Sequence, residues 1–179
     1  QGPTGSGKSL ALNMIAGIKR PSFGQIFVAG DCINDFTERQ MLFVRRSMGI
    51  MIQECLLLED RTIAENIMLP ALASEESYGE ARARADRAMK ECGIEDLAAK
   101  YPAALSAGQK QIACLARAIV NRPVVVLADE PCAHLDIDNA QHLMDLLGNV
   151  SLTGVSVIVA SHIELYPNTA ACRPIMLNG

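Results

Sequence analysis

A glycine-rich stretch at the start of the chain has the composition and spacing of a phosphate-binding loop. It reads Gly-Pro-Thr-Gly-Ser-Gly-Lys-Ser, and an apolar run from Leu10 to Ile18 follows it. Glycines let successive backbone N–H groups point towards an anion, and the N-terminus of a following helix favours negative charge. Lys8 would supply charge and Ser9 a hydroxyl for Mg²⁺. The predicted ligands are Gly2, Pro3, Thr4, Gly5, Ser6, Gly7, Lys8 and Ser9. The alternative is an ordinary turn before a helix.

Two adjacent carboxylates, Asp129 and Glu130, follow the apolar run Val124–Ala128. A continuous apolar run is typical of a strand that is covered on both faces. Carboxylates at the end of such a strand are costly unless they bind something. Asp129 has the chemistry of a Mg²⁺ ligand, and Glu130 that of a general base that activates water. A surface turn is the alternative interpretation.

Two further polar residues follow apolar runs of strand length. Gln53 comes after the run at 49–52, and His162 after the run at 155–160. If these strands lie parallel to the run before Asp129, all of these polar side chains share one edge of the sheet, where ligands bind in α/β folds. Taken alone, Gln53 could be an ordinary strand-end residue and His162 a structural one. We expect His134 and His142 to be structural.

The stretch Leu105-Ser106-Ala107-Gly108-Gln109 precedes a helix predicted at 112–120. Ser106 is a helix N-cap candidate, and the small residues beside it leave backbone amides accessible. The stretch therefore forms a second helix N-terminus able to bind an anion. The alternative is a helix that is merely capped.

The remaining pattern alternates helices with apolar strands. Thr37 is placed to cap a helix at 38–46, and Thr62 with Glu65 matches a capping box. A helix with buried alanines and a basic outer face follows at 81–92 and ends at Gly93. This order predicts an α/β core with a mainly parallel sheet and a helical insertion at 61–111.

Composition excludes several classes of protein. The 179 residues carry a net charge of −4, which argues against nucleic-acid binding, and the apolar runs are too short to span a membrane. The six cysteines lack metal-site spacing, so we expect reduced thiols and no disulfide framework. Because the glycine-rich loop lies at the very start of the sequence, we expect that the strand preceding it is missing. The loss of that strand would expose an apolar cleft beside Val124–Ala128. We therefore expect this 179-residue fragment to have low stability and weak activity.

The order of these motifs resembles the ATP-binding cassette (ABC) ATPases, over all 179 residues. In that family's terms the motifs are a Walker A loop (Gly2–Ser9), a Q-loop glutamine (Gln53), a signature (Leu105–Gln109), Walker B (Val124–Glu130), a D-loop (His134–Asp136) and an H-loop histidine (His162). The chain departs from the family at Ala107, Ile112, Cys114, Cys132 and His134. The short distance from Ser9 to Leu105 leaves no room for the coiled-coil insertion of DNA-repair relatives.

The resemblance implies a P-loop NTPase fold with a core subdomain at 1–60 and 112–179 and a helical subdomain at 61–111. It implies two copies arranged head to tail around ATP and Mg²⁺, and an integral membrane permease as partner. The implied metal ligands are Ser9, Gln53 and Asp129. The implied catalytic residues are Glu130, His162, Gln53 and Asp136. The implied nucleotide-binding residues are Gly2–Ser9 and, from the second copy, Leu105, Ser106, Ala107, Gly108 and Gln109.

Finer similarities favour one branch of the family. Phe43–Arg46, Leu57–Thr62, Glu65-Asn66 with Leu69-Pro70, and Ala116–Asn121 resemble the bacterial cell-division ATPases. This implies a peripheral protein at the cytoplasmic face of the inner membrane. Lipoprotein-releasing and macrolide-exporter ATPases remain an alternative, as does a nucleotide-gated scaffold without hydrolysis. The transported substrate and the identity of the partner do not follow from the sequence.

Overall fold

The described residues form six α-helices, two short 3₁₀ helices and five strands. The computed structural model describes residues 6–54 and 56–177. The helices are α1 (Lys8–Ile15), α2 (Glu38–Arg46), α3 (Ile63–Ala73), α4 (Tyr78–Glu91), α5 (Ala107–Ile119) and α6 (Ile137–Leu152). The strands are β1 (Phe27–Val28), β2 (Asp31–Cys32), β3 (Met48–Met51), β4 (Val125–Asp129) and β5 (Ser156–Ala160). Two short 3₁₀ helices lie at Glu95–Leu97 and Pro102–Ala104.

The three longer strands form a parallel sheet in the order β3-β4-β5, as the sequence predicts. Met51 of β3 is in register with Ala128 of β4, and Asp129 of β4 with Ala160 of β5. All three strands therefore end at the same edge. The strands β1 and β2 form a separate antiparallel pair.

Side chains of β4 alternate between two cores, because successive residues of a strand point to opposite faces. Val125 and Leu127 belong to a cluster with Leu12 of α1 and with Ala16, the C-cap of that helix. Val126 and Ala128 belong to the larger cluster that contains α3, α4, α5 and α6. The apolar run thus reflects a strand that is covered on both faces.

Side-chain caps set the beginnings of several helices. The predicted caps Thr37 and Thr62 are confirmed, and each forms a capping box, with Gln40 and Glu65 respectively. Ser106 forms a third box with Gln109. Because this box begins α5 directly after Ser106, the helix starts at Ala107 rather than at 112, which corrects the prediction.

One close approach fixes β3 against α5. A Cβ atom on Gly49 would lie 2.4 Å from the backbone oxygen of Ala118. Only glycine permits this distance without moving a main chain, and real Cβ atoms do not approach so closely. The strand that leads to Gln53 therefore packs directly against α5, the helix that Ser106 caps.

The apolar cavity of the structure lies beside a different strand from the one predicted. Strand β4 has a neighbour on each side, whereas β5 is the last strand of the sheet among the described residues. A cavity of about 490 Å³ lies beside β5, between α1, α6 and the segment after His162. The prediction of a cleft beside Val124–Ala128 was wrong because the sequence does not give the order of the strands.

Cysteine chemistry departs from the expectation at one position. Cys32, Cys92, Cys132 and Cys172 are free thiols. Cys114, on α5, is disulfide-bonded, whereas the sequence favours reduced thiols and no disulfide framework. Within the described part of the chain, no helix is both long and apolar enough to cross a membrane.

Candidate functional site

The described part of the glycine-rich loop has the features of an anion site. Gly2, Pro3, Thr4 and Gly5 lie outside the described residues. Gly7 adopts a left-handed conformation (φ 85°) at the N-cap of α1, and buried Lys8 is the first helical residue. The Oγ atom of Ser6 is buried without a hydrogen-bond partner. A buried hydroxyl without a partner at the positive end of a helix dipole fits a phosphate oxygen.

Ser9 and Asp129 are joined by a hydrogen bond. The Oγ atom of Ser9 donates to Oδ1 of Asp129 over 3.0 Å, although the residues are 120 positions apart. A hydroxyl and a carboxylate are the hard oxygen ligands that Mg²⁺ prefers. The described residues contain no cluster of three or more His, Cys, Asp or Glu side chains that could hold a metal by themselves. The pair therefore fits a cation that also takes phosphate oxygens and water as ligands.

Glu130 and His162 form the second close pair at this edge. Nδ1 of His162 lies 2.8 Å from Oε2 of Glu130, and the backbone N–H of His162 donates to the same oxygen over 3.4 Å. Only 11% of the Glu130 side chain is exposed, against 51% for His162. A ring with its proton on Nδ1 donates to the carboxylate and keeps Nε2 as an acceptor.

The backbone of Glu130 is also constrained. Its φ is 46°, in the left-handed region, and its N–H donates to the carbonyl of Ala160 over 2.8 Å. A non-glycine residue in this region is uncommon and costs conformational energy. The geometry turns the chain just after Asp129. Consequently, two adjacent carboxylates have different surroundings: one contacts Ser9, and the other contacts His162.

The thiol of Cys132 lies close behind this turn. Burial raises the pKa of Cys132 to about 11, and the charge of Glu130 contributes to the rise. The thiol donates weakly to the carbonyl of Ala140 over 3.7 Å. At neutral pH it is therefore an uncharged packing group and not a nucleophile.

Gln53 lies two positions past the end of β3 and is exposed. Because β3 runs parallel to β4, Gln53 is at the same sheet edge as Asp129. The structure thus brings five predicted residues to one edge: Ser9, Gln53, Asp129, Glu130 and His162.

The other predicted residues form a second group at the N-termini of α5 and α6. Leu105 is buried, whereas Ser106 and Ala107 are exposed. The Oγ atom of Ser106 accepts from the N–H of Gln109 over 3.2 Å. A Cβ on Gly108 would lie 2.8 Å from Oδ1 of Asn139, so the two helix N-termini touch at this glycine.

Asp136 is the N-cap of α6 in this second group. It accepts from the backbone N–H of Asn139 over 2.9 Å and from its side-chain amide over 2.6 Å. These hydrogen bonds hold the pKa of Asp136 below its ordinary value. Asn139 was not predicted from the sequence, although a polar residue three positions after an N-cap is a recognisable signal.

Comparisons with known proteins decide the family. The family model described as "ABC transporter" matches residues 1–133. The chain belongs to the ABC transporter ATP-binding family. The predicted α/β P-loop fold and the assignment as an ATPase are thereby confirmed.

Several relatives resemble the chain over most of its length. The cell division ATP-binding protein FtsE of Escherichia coli (strain K12) is 38% identical over 161 residues, which are 90% of this chain and 72% of FtsE. The lipoprotein-releasing ATP-binding protein LolD of Buchnera aphidicola is 35% identical over 180 residues, covering 99% of this chain and 79% of LolD.

Solved cassettes share the fold. The dimeric bacterial ABC transporter cassette MJ0796 has a TM-score of 0.82 and 30% identity, covering 99% of this chain and 84% of that one. A second dimeric structure of MJ0796, in a post-hydrolysis state bound to ADP and Pi, has a TM-score of 0.81 and 30% identity, with the same coverage. This chain is accordingly an ATP-binding and ATP-hydrolysing subunit of ABC type.

Proposed function

We propose that the chain hydrolyses ATP at the edge where β3, β4 and β5 end, and that it does so as a cell-division-type subunit that drives a membrane partner. The observation that supports this mechanism is the pair of contacts Ser9–Asp129 and Glu130–His162, made by adjacent carboxylates. The contact between Ser9 and Asp129 suits the binding of a metal ion that also binds phosphate. The contact between Glu130 and His162 suits a general base that is positioned to activate water.

Each residue at this edge has a proposed role. The loop amides and Lys8 bind the phosphates, and Ser9, Asp129 and Gln53 bind Mg²⁺, directly or through water. When bound, Mg²⁺ neutralises charge on the phosphate oxygens. Glu130 accepts a hydrogen bond from the attacking water and takes its proton. His162 holds the Glu130 carboxylate in place and lies next to the outer phosphate.

We propose that a second copy of the chain completes the site. In a head-to-tail pair, the stretch Leu105–Gln109 of one copy faces the phosphates bound by the other, and Asp136 lies between the two sites. The exposed, capped N-terminus of α5 supports this arrangement, since Ser106 and Ala107 are both accessible. The dimeric structures of MJ0796 support it as well.

The membrane partner is proposed to dock near Gln53 and the helical subdomain at 61–111. The protein would then be peripheral, at the cytoplasmic face of the inner membrane. Similarity to FtsE over 90% of this chain favours the cell-division branch. Similarity to LolD over 99% of the chain favours a lipoprotein-releasing subunit, which is the second candidate.

The branch is tested with the full-length parent protein in its own host. We expect a permease-type integral membrane protein to co-purify from native membranes in mild detergent. Depletion of the parent protein should give elongated cells that fail to divide. Normal division with lipoproteins retained in the inner membrane would contradict this proposal and establish the second candidate.

A further inference from the structure

The segment that carries His162 has no regular secondary structure of its own. Residues 161–177 form neither a helix nor a strand. Such a segment lacks the ladder of backbone hydrogen bonds that holds a helix or a strand in place. Its position therefore depends on the contacts that it makes with neighbouring elements.

Helix α6 holds this segment through two side chains. Nε2 of Gln141 donates to the backbone oxygen of Tyr166 over 3.0 Å. Oδ1 of Asp145 accepts from the backbone N–H of Asn168 over 2.6 Å, and Oδ2 accepts from the side-chain amide of Asn168 over 3.2 Å. Hydrogen bonds to a charged acceptor are stronger than neutral ones. Because residues four apart lie on the same face of a helix, Gln141 and Asp145 hold one stretch of chain, 166–168.

Gly148 of α6 lets the segment approach the helix closely. A Cβ atom on Gly148 would lie 2.4 Å from Oγ1 of Thr169 and 2.7 Å from Cβ of Pro167. Oγ1 of Thr169 also donates to the backbone oxygen of Asp145 over 3.2 Å. The segment therefore lies directly on α6 at 167–169, and hydrogen bonds from the same helix face keep it there.

His162 lies only a few residues before this attachment. The chain steps from 162 to 166 span at most about 14 Å when fully extended. On its other side, His162 follows Ala160, the last residue of β5. The His162 side chain is 51% exposed, and its Nδ1 lies 2.8 Å from Oε2 of Glu130. With β5 at one end and the attachment to α6 at the other, the chain between them has little freedom to move the ring away from Glu130.

We propose that Asp145 is a positioning residue for His162. It holds the segment at Asn168 and, through the short chain in between, keeps the His162 ring within hydrogen-bond distance of Glu130. Asp145 takes no part in the chemistry and acts through the main chain at 163–168. The inference rests on the proposed role of His162 in ATP hydrolysis.

The test uses the full-length parent protein with its membrane partner. Asp145→Ala is compared with Asp145→Asn, which keeps one acceptor oxygen for the N–H of Asn168, and with Asn149→Ala, which changes an exposed polar residue of the same helix. Gln141→Ala is a milder variant that removes the bond to Tyr166 and leaves the carboxylate in place. ATP hydrolysis, ATP binding and amide hydrogen exchange are measured below the melting temperature of every variant.

For Asp145→Ala we expect kcat to fall about 5- to 20-fold, because small displacements of a positioned group are costly in rate. The affinity for ATP should change little, since the glycine-rich loop is untouched. Amide exchange should accelerate about tenfold at 163–168 through local opening. Asp145→Asn should restore part of both properties, Gln141→Ala should show smaller changes of the same kind, and Asn149→Ala should change neither.

A double-mutant cycle distinguishes positioning from general stability. His162→Ala removes the ring that Asp145 is proposed to position, so Asp145→Ala should lower the rate much less in that background than in the parent. Single-turnover assays follow the residual hydrolysis, which stays measurable when steady-state turnover is slow.

Two results would overturn the proposal. One is unaltered exchange at 163–168 in Asp145→Ala. The other is an equal loss of rate with and without the His162 ring, which would make Asp145 a purely structural residue. The His162→Ala variant also separates the two levels of inference. If it keeps full activity while Asp145→Ala still accelerates exchange at 163–168, the proposed role of His162 is wrong and the attachment by Asp145 is supported.

Discussion

Nδ1 of His162 lies 2.8 Å from a carboxylate oxygen of Glu130, and the two residues follow neighbouring parallel strands. The strand register brings the two residues close together, since Asp129 is paired with Ala160. The left-handed backbone at Glu130 then turns its side chain towards the histidine rather than towards Ser9.

Replacing Glu130 by Gln should separate ATP binding from hydrolysis. The amide keeps the size of the side chain but cannot take a proton from water, so turnover should fall about 10²- to 10⁴-fold. ATP binding should persist, because Lys8 and the loop are unchanged. Phosphate release and nucleotide binding by the full-length parent measure the two effects, with exposed Glu164→Gln as control. Unchanged turnover would remove Glu130 from its proposed role.

Replacing Ser9 by Ala should lower the apparent affinity of the enzyme for Mg²⁺. The change removes the hydroxyl that contacts Asp129 and, by the proposal, the metal. The Mg²⁺ concentration for half-maximal hydrolysis should rise about tenfold, the affinity equivalent of one hydrogen bond to a charged group. Ser9→Thr retains the hydroxyl and should behave like the parent. Equal Mg²⁺ titrations for the Ala and Thr variants would refute the metal contact.

Two glycine-to-alanine changes should have opposite effects on stability. At Gly49 the new methyl would meet the backbone oxygen of Ala118 at 2.4 Å, so the free energy of unfolding should fall by about 1–3 kcal/mol. At Gly79, within α4, nothing lies within 4 Å, and alanine should raise it by up to about 1 kcal/mol. Urea unfolding measures both. A stabilising Gly49→Ala would show that β3 can move away from α5.

Asp145 should make the protein acid-sensitive. Its carboxylate accepts from the backbone N–H of Asn168 over 2.6 Å, and this bond lowers the pKa of Asp145 from its ordinary value of 3.8. The folded state thus binds the proton less readily than the unfolded state. The stabilisation is complete above the ordinary pKa and is lost as the pH falls through the folded value.

The variant Asp145→Asn should therefore be less stable than the parent at pH 7, and the difference should shrink towards pH 3. Thermal unfolding across this range measures the effect, with exposed Asp35→Asn as control. A difference that is independent of pH would show that Asp145 acts through packing rather than through its charge.

The features that the sequence predicted correctly depend on interactions between residues that are close together in the chain. Thr37 and Thr62 cap their helices because their side-chain oxygens reach a backbone N–H three residues on, which requires no tertiary contact. The sheet edge was predictable for a similar reason, since parallel strands place their ends together. The contact of Ser9 with Asp129 follows from that placement.

What escaped prediction depends on which elements become neighbours. Asn66 looks like an ordinary polar helix residue, and only the fold shows that it is fully buried and bound to Leu58. The position of the cleft depends on strand order, and the bonded state of Cys114 on tertiary proximity. None of these three features produces a recognisable pattern of residue types in the sequence.

The hydrogen bond between Ser9 and Asp129 has a consequence for the energetics of ligand capture. It joins two segments 120 positions apart. The conformational entropy of bringing these two segments together is a cost of folding, and ordering costs that fall instead on binding weaken affinity. A metal that binds here has only to replace the hydrogen bond between Ser9 and Asp129 by coordination to the same two oxygens. Its binding should therefore be fast and should leave the surrounding main chain almost unmoved.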